Sequence, residues 1–168
     1  MSKVLILLGS QSDLPVTEKG VGILKEFGIP FQLRIASAHR TPAHVEALIE
    51  NFEKNGGEVV MCGAGMSAHL AGVVASLTTL PVLAVPIAGK GAVTAGFDSL
   101  LSMCQMPGGI PVATMSFGKA GFTNGALFAV QMMGLKDSSL ATKFKEYRKA
   151  MSEAVLQSDS ENKIVFEG

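Results

Sequence analysis

Five apolar runs of strand length constrain this chain more than anything else in it: VLILL at 4 to 8, FQLRIA at 31 to 36, VVMCGAG from 59, VLAVPI from 82 and VATMSF from 112. They are continuous rather than alternating, which is the pattern of strands buried on both faces of a parallel sheet. Parallel neighbours need crossover connections, right-handed and usually helical, and the gaps between the runs are long enough to hold them. The clearest helix has Val45, Leu48, Ile49 and Phe52 at i, i+3, i+4 and i+7 on one face. Thr41 should cap it through its hydroxyl, with Pro42 at the first helical position, where no N–H is needed. That helix should run to about Lys54 and be stopped by Gly56-Gly57. A last helix, from about Ser138 to Gln157, carries Leu140, Phe144, Tyr147, Met151 and Val155 on one stripe and is followed by no strand. Such a helix can close its own sheet or reach across to a neighbouring copy.

At 168 residues one domain is expected over 1–168, with a core at about 3–135 and the C-terminal helix and tail at about 138–168. Fourteen basic side chains cancel fourteen acidic ones, so no net field favours nucleic acid or an anionic membrane as partner. Charged residues are only 17% and hydrophobic ones 48%, with nine methionines, and the mean hydropathy is +0.37. That is more apolar area than one small globule hides, and it points to a homo-oligomer. Cys62 and Cys104 lie far apart in apolar surroundings and are read as buried thiols in a reducing cytoplasm. The opening MSKVLILLGSQSD is too short in its apolar part for a signal peptide or a membrane span, and reads as a buried first strand.

In an open parallel sheet ligands bind beyond the carboxyl ends of the strands. Three loops meet that edge on this reading: GSQSD (9 to 13), SAHRTP (37 to 42) and GAGMSAHLAG (63 to 72). GSQSD should open a helix, with backbone N–H groups, Ser10 and Ser12 facing an anion such as phosphate. It matches neither the Walker loop nor the dinucleotide fingerprint. Asp13 is placed either to accept bonds from ribose hydroxyls or simply to cap the helix. Arg40 beside a serine-rich loop suits bidentate phosphate binding, and His39 suits general acid or base chemistry. His39, His44 and His69 lack a carboxylate or cysteine at ligand spacing, so no metal is expected, and His44 reads as packing or surface. GAGMSAHLAG is small at seven of ten positions; it either lets backbone approach a ligand or is a glycine turn leading into a packed helix, with His69 bonded to backbone.

These three motifs, with DSLLSMCQMPGGIPVAT later in the chain, resemble the PurE family, class I, the N5-carboxyaminoimidazole ribonucleotide mutases of bacterial purine synthesis. The similarity covers residues 3 to about 155. It implies an α/β fold, a flavodoxin-like three-layer αβα sandwich, assembled as an octamer in the cytoplasm, with active sites where subunits meet and the C-terminal helix packing on a neighbour. It implies a carboxylate moved from the exocyclic nitrogen of the nucleotide to ring carbon C4, with no metal, biotin or ATP as cofactor. Carried over by position, His39 is the catalytic histidine, Ser10, Asp13 and Arg40 contact phosphate and ribose, and Ser12 and Ser37 lie nearby. Gly63, Gly65, Ser67, Ala68, His69 and Leu70 match the segment around the migrating carboxylate. Met66, Ser67 and Ala71 stand where the family usually has Gly, Ala and Pro, and the stretch 86–98 is about two residues longer than usual. Related class II enzymes carboxylate aminoimidazole ribonucleotide directly with carbon dioxide and generally lack the loop histidine; His69 and Arg40 favour class I.

Overall fold

The computed structural model describes residues 1–89 and 94–166. Its strands are β1 Val4–Leu8, β2 Phe31–Ile35, β3 Val59–Gly65, β4 Val82–Ile87 and β5 Ala113–Thr114. Its helices are α1 Glu18–Glu26, α2 Pro42–Lys54, α3 Leu70–Leu77, α4 Phe97–Cys104, α5 Gly118–Gly134 and α6 Ser138–Glu161. All the strand pairs are parallel and the order across the sheet is β2-β1-β3-β4-β5. That is the flavodoxin order, in which the chain reverses its direction of winding between β1 and β3. The five expected strands are therefore present, with one shortened: the VATMSF run contributes only two residues to the sheet.

Side chains alternate between the two faces along each strand. Leu5, Leu7, Val60, Cys62, Val82 and Ala84 point to one face, where they form a single cluster with Val45, Leu48, Ile49 and Phe52 of α2, Val74 of α3 and Met103 of α4. On the other face Phe122 of α5 lies over Gly63, and Met61 reaches Gly125. Helices on both faces make the expected three layers. Each fully buried aliphatic or aromatic side chain on the α2 stripe contributes about 1.5–3 kcal/mol. The helix ends as its sequence indicates: Asn55 follows the last turn and Gly56 takes a left-handed φ of 72° that turns the chain toward β3. Edge strand β2 departs from the expectation of double coverage, since Arg34 and Ile35 are exposed.

The chain divides into two compact units, Met1–Ala129 and Val130–Gly168. The second holds the end of α5 and the whole of α6. Asp137 caps α6, its carboxylate accepting from the N–H groups of Ser139 and Leu140. These bonds hold the Asp137 carboxyl below the usual carboxylate range, led by the Ser139 side chain and then the backbone N–H groups. No residue of α6 is buried: Leu140, Phe144 and Tyr147 of the stripe are partly covered, and Met151 and Val155 are exposed. In the tail, Ile164 and Phe166 are exposed. The cysteines also split. Cys62 is buried in β3, where burial pushes its thiol well up, but Cys104, at the end of α4, is exposed rather than buried. Among the described residues no helix is long and apolar enough to cross a membrane.

Candidate active site

The three glycine- and serine-rich loops do converge, at the carboxyl edge beside the switch point. After β1 the chain enters a six-residue 3-10 helix, Gln11–Val16, with α1 only beyond it. The cap is Ser10 rather than Asp13: the Ser10 Oγ accepts from the Ser12 N–H at 3.3 Å. The Ser12 hydroxyl lies 2.9 Å from the Ser10 hydroxyl and 3.3 Å from the Asp13 carboxylate, so the three form a polar chain along the loop. Partial burial raises the Asp13 carboxyl above its usual range, against the opposing pull of bonds from Ser12 and the Ser10 backbone. With the cap supplied by Ser10, the Asp13 side chain is left to face the cavity.

The SAHRTP turn is held by its own side chains. Pro42 is the first residue of α2 and Thr41 its cap position, as read from sequence, but the Thr41 hydroxyl does not cap the helix. It accepts from the Ser37 N–H at 2.9 Å and donates to the Ser37 carbonyl at 3.1 Å, closing the turn backwards. Arg40 N–H reaches the Ser37 hydroxyl at 3.3 Å. The Arg40 guanidinium donates from Nη2 to the Gly9 carbonyl at 2.9 Å, which sets it over the β1 loop. Neither the Thr41 link nor the Gly9 acceptor is visible in a residue pattern, because both are tertiary choices among several equivalent oxygens.

After β3 the backbone turns sharply. A Cβ on Gly65 would stand 2.8 Å from the Ile87 carbonyl oxygen, so only glycine fits there. Met66 follows with a left-handed φ of 58°, a conformation that costs a residue with a side chain about 1–2 kcal/mol. The His69 N–H bonds the Ser67 carbonyl at 2.9 Å, and His69 becomes the cap residue of α3 without a side-chain capping bond. Its ring faces the other loop instead: His39 Nε2 and His69 Nδ1 are 3.0 Å apart, with the rings edge to face at 81°. At that distance one of the two nitrogens carries a proton and the other accepts it. His44, in contrast, is an exposed residue of α2.

A cavity of about 930 Å³ lies between the loops, large enough for a mononucleotide. Of the residues given a site role from sequence, Ser10, Ser12, Asp13, Ser37, His39, Arg40, Gly65, Ser67, His69 and Leu70 line it. Gly63 and Ala68 do not. Gly63 lies inside β3, packed so closely under Leu8 and Phe122 that a Cβ would strike both, and Ala68 is 1% exposed in the core. The cavity wall also includes residues to which the sequence assigned no ligand contact: Ala38, Ala64 and Met66 within the loop motifs, with Ile87, Ala88 and Gly89 at the end of β4. The signal for the last three was available, since β4 neighbours β3 and its carboxyl end must meet the same edge. Within the longer 86–98 stretch, residues 90–93 lie outside the described residues. Among the described residues no three His, Cys, Asp or Glu side chains gather as metal ligands.

Sheet order, switch-point cavity and paired histidines define an α/β protein with a candidate small-molecule site, lined by a cation, hydroxyls and a hydrogen-bonded histidine pair. The family model for AIR carboxylase matches residues 3–154, and the chain belongs to that family. The N5-carboxyaminoimidazole ribonucleotide mutase of Methanocaldococcus jannaschii is 48% identical over 97% of this chain and 99% of its own length. The phosphoribosylaminoimidazole carboxylase of Saccharomyces cerevisiae is 46% identical over 90% of this chain, which spans 26% of that longer protein. Among solved structures, PurE of Treponema denticola superposes with a TM-score of 0.84 at 31% identity, covering 96% of this chain and 98% of that one.

Proposed function

We propose that this protein is an N5-carboxyaminoimidazole ribonucleotide mutase of purine biosynthesis, an isomerase that moves a carboxylate from the exocyclic nitrogen to C4 of the same ring. The observation that carries the mechanism is the His39–His69 pair, set 3.0 Å apart at the cavity with Arg40 and the serines beside it. Arg40, Ser10 and Ser12 take the nucleotide phosphate, Arg40 exchanging its Gly9 carbonyl for a charged acceptor. Asp13 and Ser37 take ribose hydroxyls, which a carboxylate and a serine Oγ can accept. This leaves the imidazole ring beside the histidines.

The chemistry then balances with a single proton. His39 delivers it to the carbamate nitrogen, the N–C bond breaks, and carbon dioxide leaves an electron-rich aminoimidazole. C4 attacks the carbon dioxide, forming the new C–C bond, and its hydrogen passes back to His39 as the ring regains aromaticity. His69 Nδ1 holds the His39 ring in place while the transferred proton rests on the exocyclic amine, so the ring is still aligned when C4 gives up its hydrogen, a positioning role. No external carboxyl donor enters this cycle.

The assay that tests it offers purified protein the N5-carboxylated nucleotide, or aminoimidazole ribonucleotide with bicarbonate. Turnover of the first is expected. Turnover only of the second, at a rate following carbon dioxide, would replace the mutase with a direct carboxylase. We further propose a cytoplasmic homo-octamer in which α6 docks on a neighbouring subunit. Its support is that α6 buries no residue within its own chain and exposes Met151, Val155 and Leu156. Light scattering of a monomer at micromolar concentration would remove the octamer.

A further inference from the structure

Met66 is the one large apolar side chain in the cavity wall that is both strongly exposed, at 60%, and built on a strained backbone, with φ at 58°. Among the described residues the other non-glycine position with positive φ is Ala95, which carries almost no side chain. The turn itself would be more relaxed with glycine at 66, so what Met66 adds is the side chain. That side chain is unbranched, flexible and polarizable, able to cover an irregular apolar surface. It stands beside Gly65 and three residues before His69, and Ala38, Ala64 and Ile87 supply apolar wall in the same cavity.

Carbon dioxide is uncharged and offers little for hydrogen bonds to hold, so its retention depends on walls and on the exclusion of water. We propose that the Met66 side chain closes over the bound nucleotide and retains carbon dioxide between its release from nitrogen and its capture by C4. This rests on the mutase reading of the same site. Without the cover, carbon dioxide escapes and the ring is left as the free amine, having taken up one proton.

The test supplies nucleotide labelled with 13C in the migrating carboxylate, in unlabelled bicarbonate, and reads the label kept in the product after subtracting enzyme-free loss. Wild type and Met66→Leu should keep it, while Met66→Ala and Met66→Gly should both lose a severalfold larger share to free amine and to unlabelled product. Retention by Met66→Ala equal to wild type overturns the cover, and so does leakage confined to Met66→Gly, which would assign the effect to backbone freedom. Wild type that takes its carboxylate wholly from bicarbonate overturns the mutase reading and this role with it; wild type that keeps its label while the Ala variant also does overturns the cover alone.

Discussion

The two loops that bring the histidines together are built on opposite principles. SAHRTP is tied by hydrogen bonds within itself, Thr41 spanning both polar groups of the Ser37 backbone. GAGMSAHLAG has a single short-range backbone bond, from His69 to Ser67, and bends through a left-handed Met66 that follows Gly65, itself packed against the Ile87 carbonyl. One turn is satisfied locally and the other is held from outside. The histidine proposed to move the proton sits on the satisfied turn, whereas its partner sits on the one packed from outside. A group that must return to the same position twice per cycle gains from local bonding.

The sharpest way to break this asymmetry is to exchange the histidines' fates. His39→Asn should lower kcat by about 10²–10⁴-fold with nucleotide affinity largely kept; His69→Asn, removing only a positioning partner, should cost less and alter the pH profile of kcat. Equal losses with parallel pH profiles would make the two histidines chemically equivalent. Arg40→Ala comes next, since loss of charged hydrogen bonds worth about 1.5–3 kcal/mol should raise the nucleotide Kd by roughly 10–100-fold. Unchanged affinity by calorimetry would remove Arg40 from the phosphate site.

Much of this arrangement could be read before any coordinates. The strands, the α2 stripe and the convergence of the three loops follow from apolar period and sheet topology, which are repeated over many residues. What escaped the sequence was decided by single choices. Thr41 was at the right boundary, but its hydroxyl had two nearer backbone partners than the helix end. Ser10, rather than Asp13, won the capping position by being one residue outside the 3-10 turn. Ala68 has the small size that suits a ligand loop, yet the same size lets it sink into the core. Nothing in a methionine codes announces positive φ. The α6 stripe shows that period reports an apolar face without naming what covers it.

Smaller effects refine the contrast between the loops. Thr41→Val keeps shape and removes the hydroxyl that bridges Ser37, so it should lower stability by about 1 kcal/mol, seen as a fall in Tm. An unchanged Tm would mean that water replaces the hydroxyl. Asp13, in the third loop, has its carboxyl raised by burial, so its ionised form opposes folding at neutral pH and that penalty fades as pH falls through the carboxylate range. Asp13→Asn should therefore raise Tm slightly at pH 7, by an amount that shrinks below about pH 4; a gain that grows in acid would reverse the sign. Least of all, Met66→Gly trades relief of about 1 kcal/mol of strain for about 0.4–1 kcal/mol of extra freedom in the unfolded chain. Its Tm should hardly move. A clear fall would show that the second turn is satisfied after all.

The two margins of the sheet set a rule for how copies of this chain can join. At one margin β5 offers only Ala113–Thr114, and at the other β2 is five residues long with Arg34 exposed near its carboxyl end. Strands this short and charged are poor templates for adding a further strand. A chain that is 48% hydrophobic is thereby steered away from edge-to-edge ribbon growth, and the proposed octamer would instead join helix face to helix face in a closed assembly.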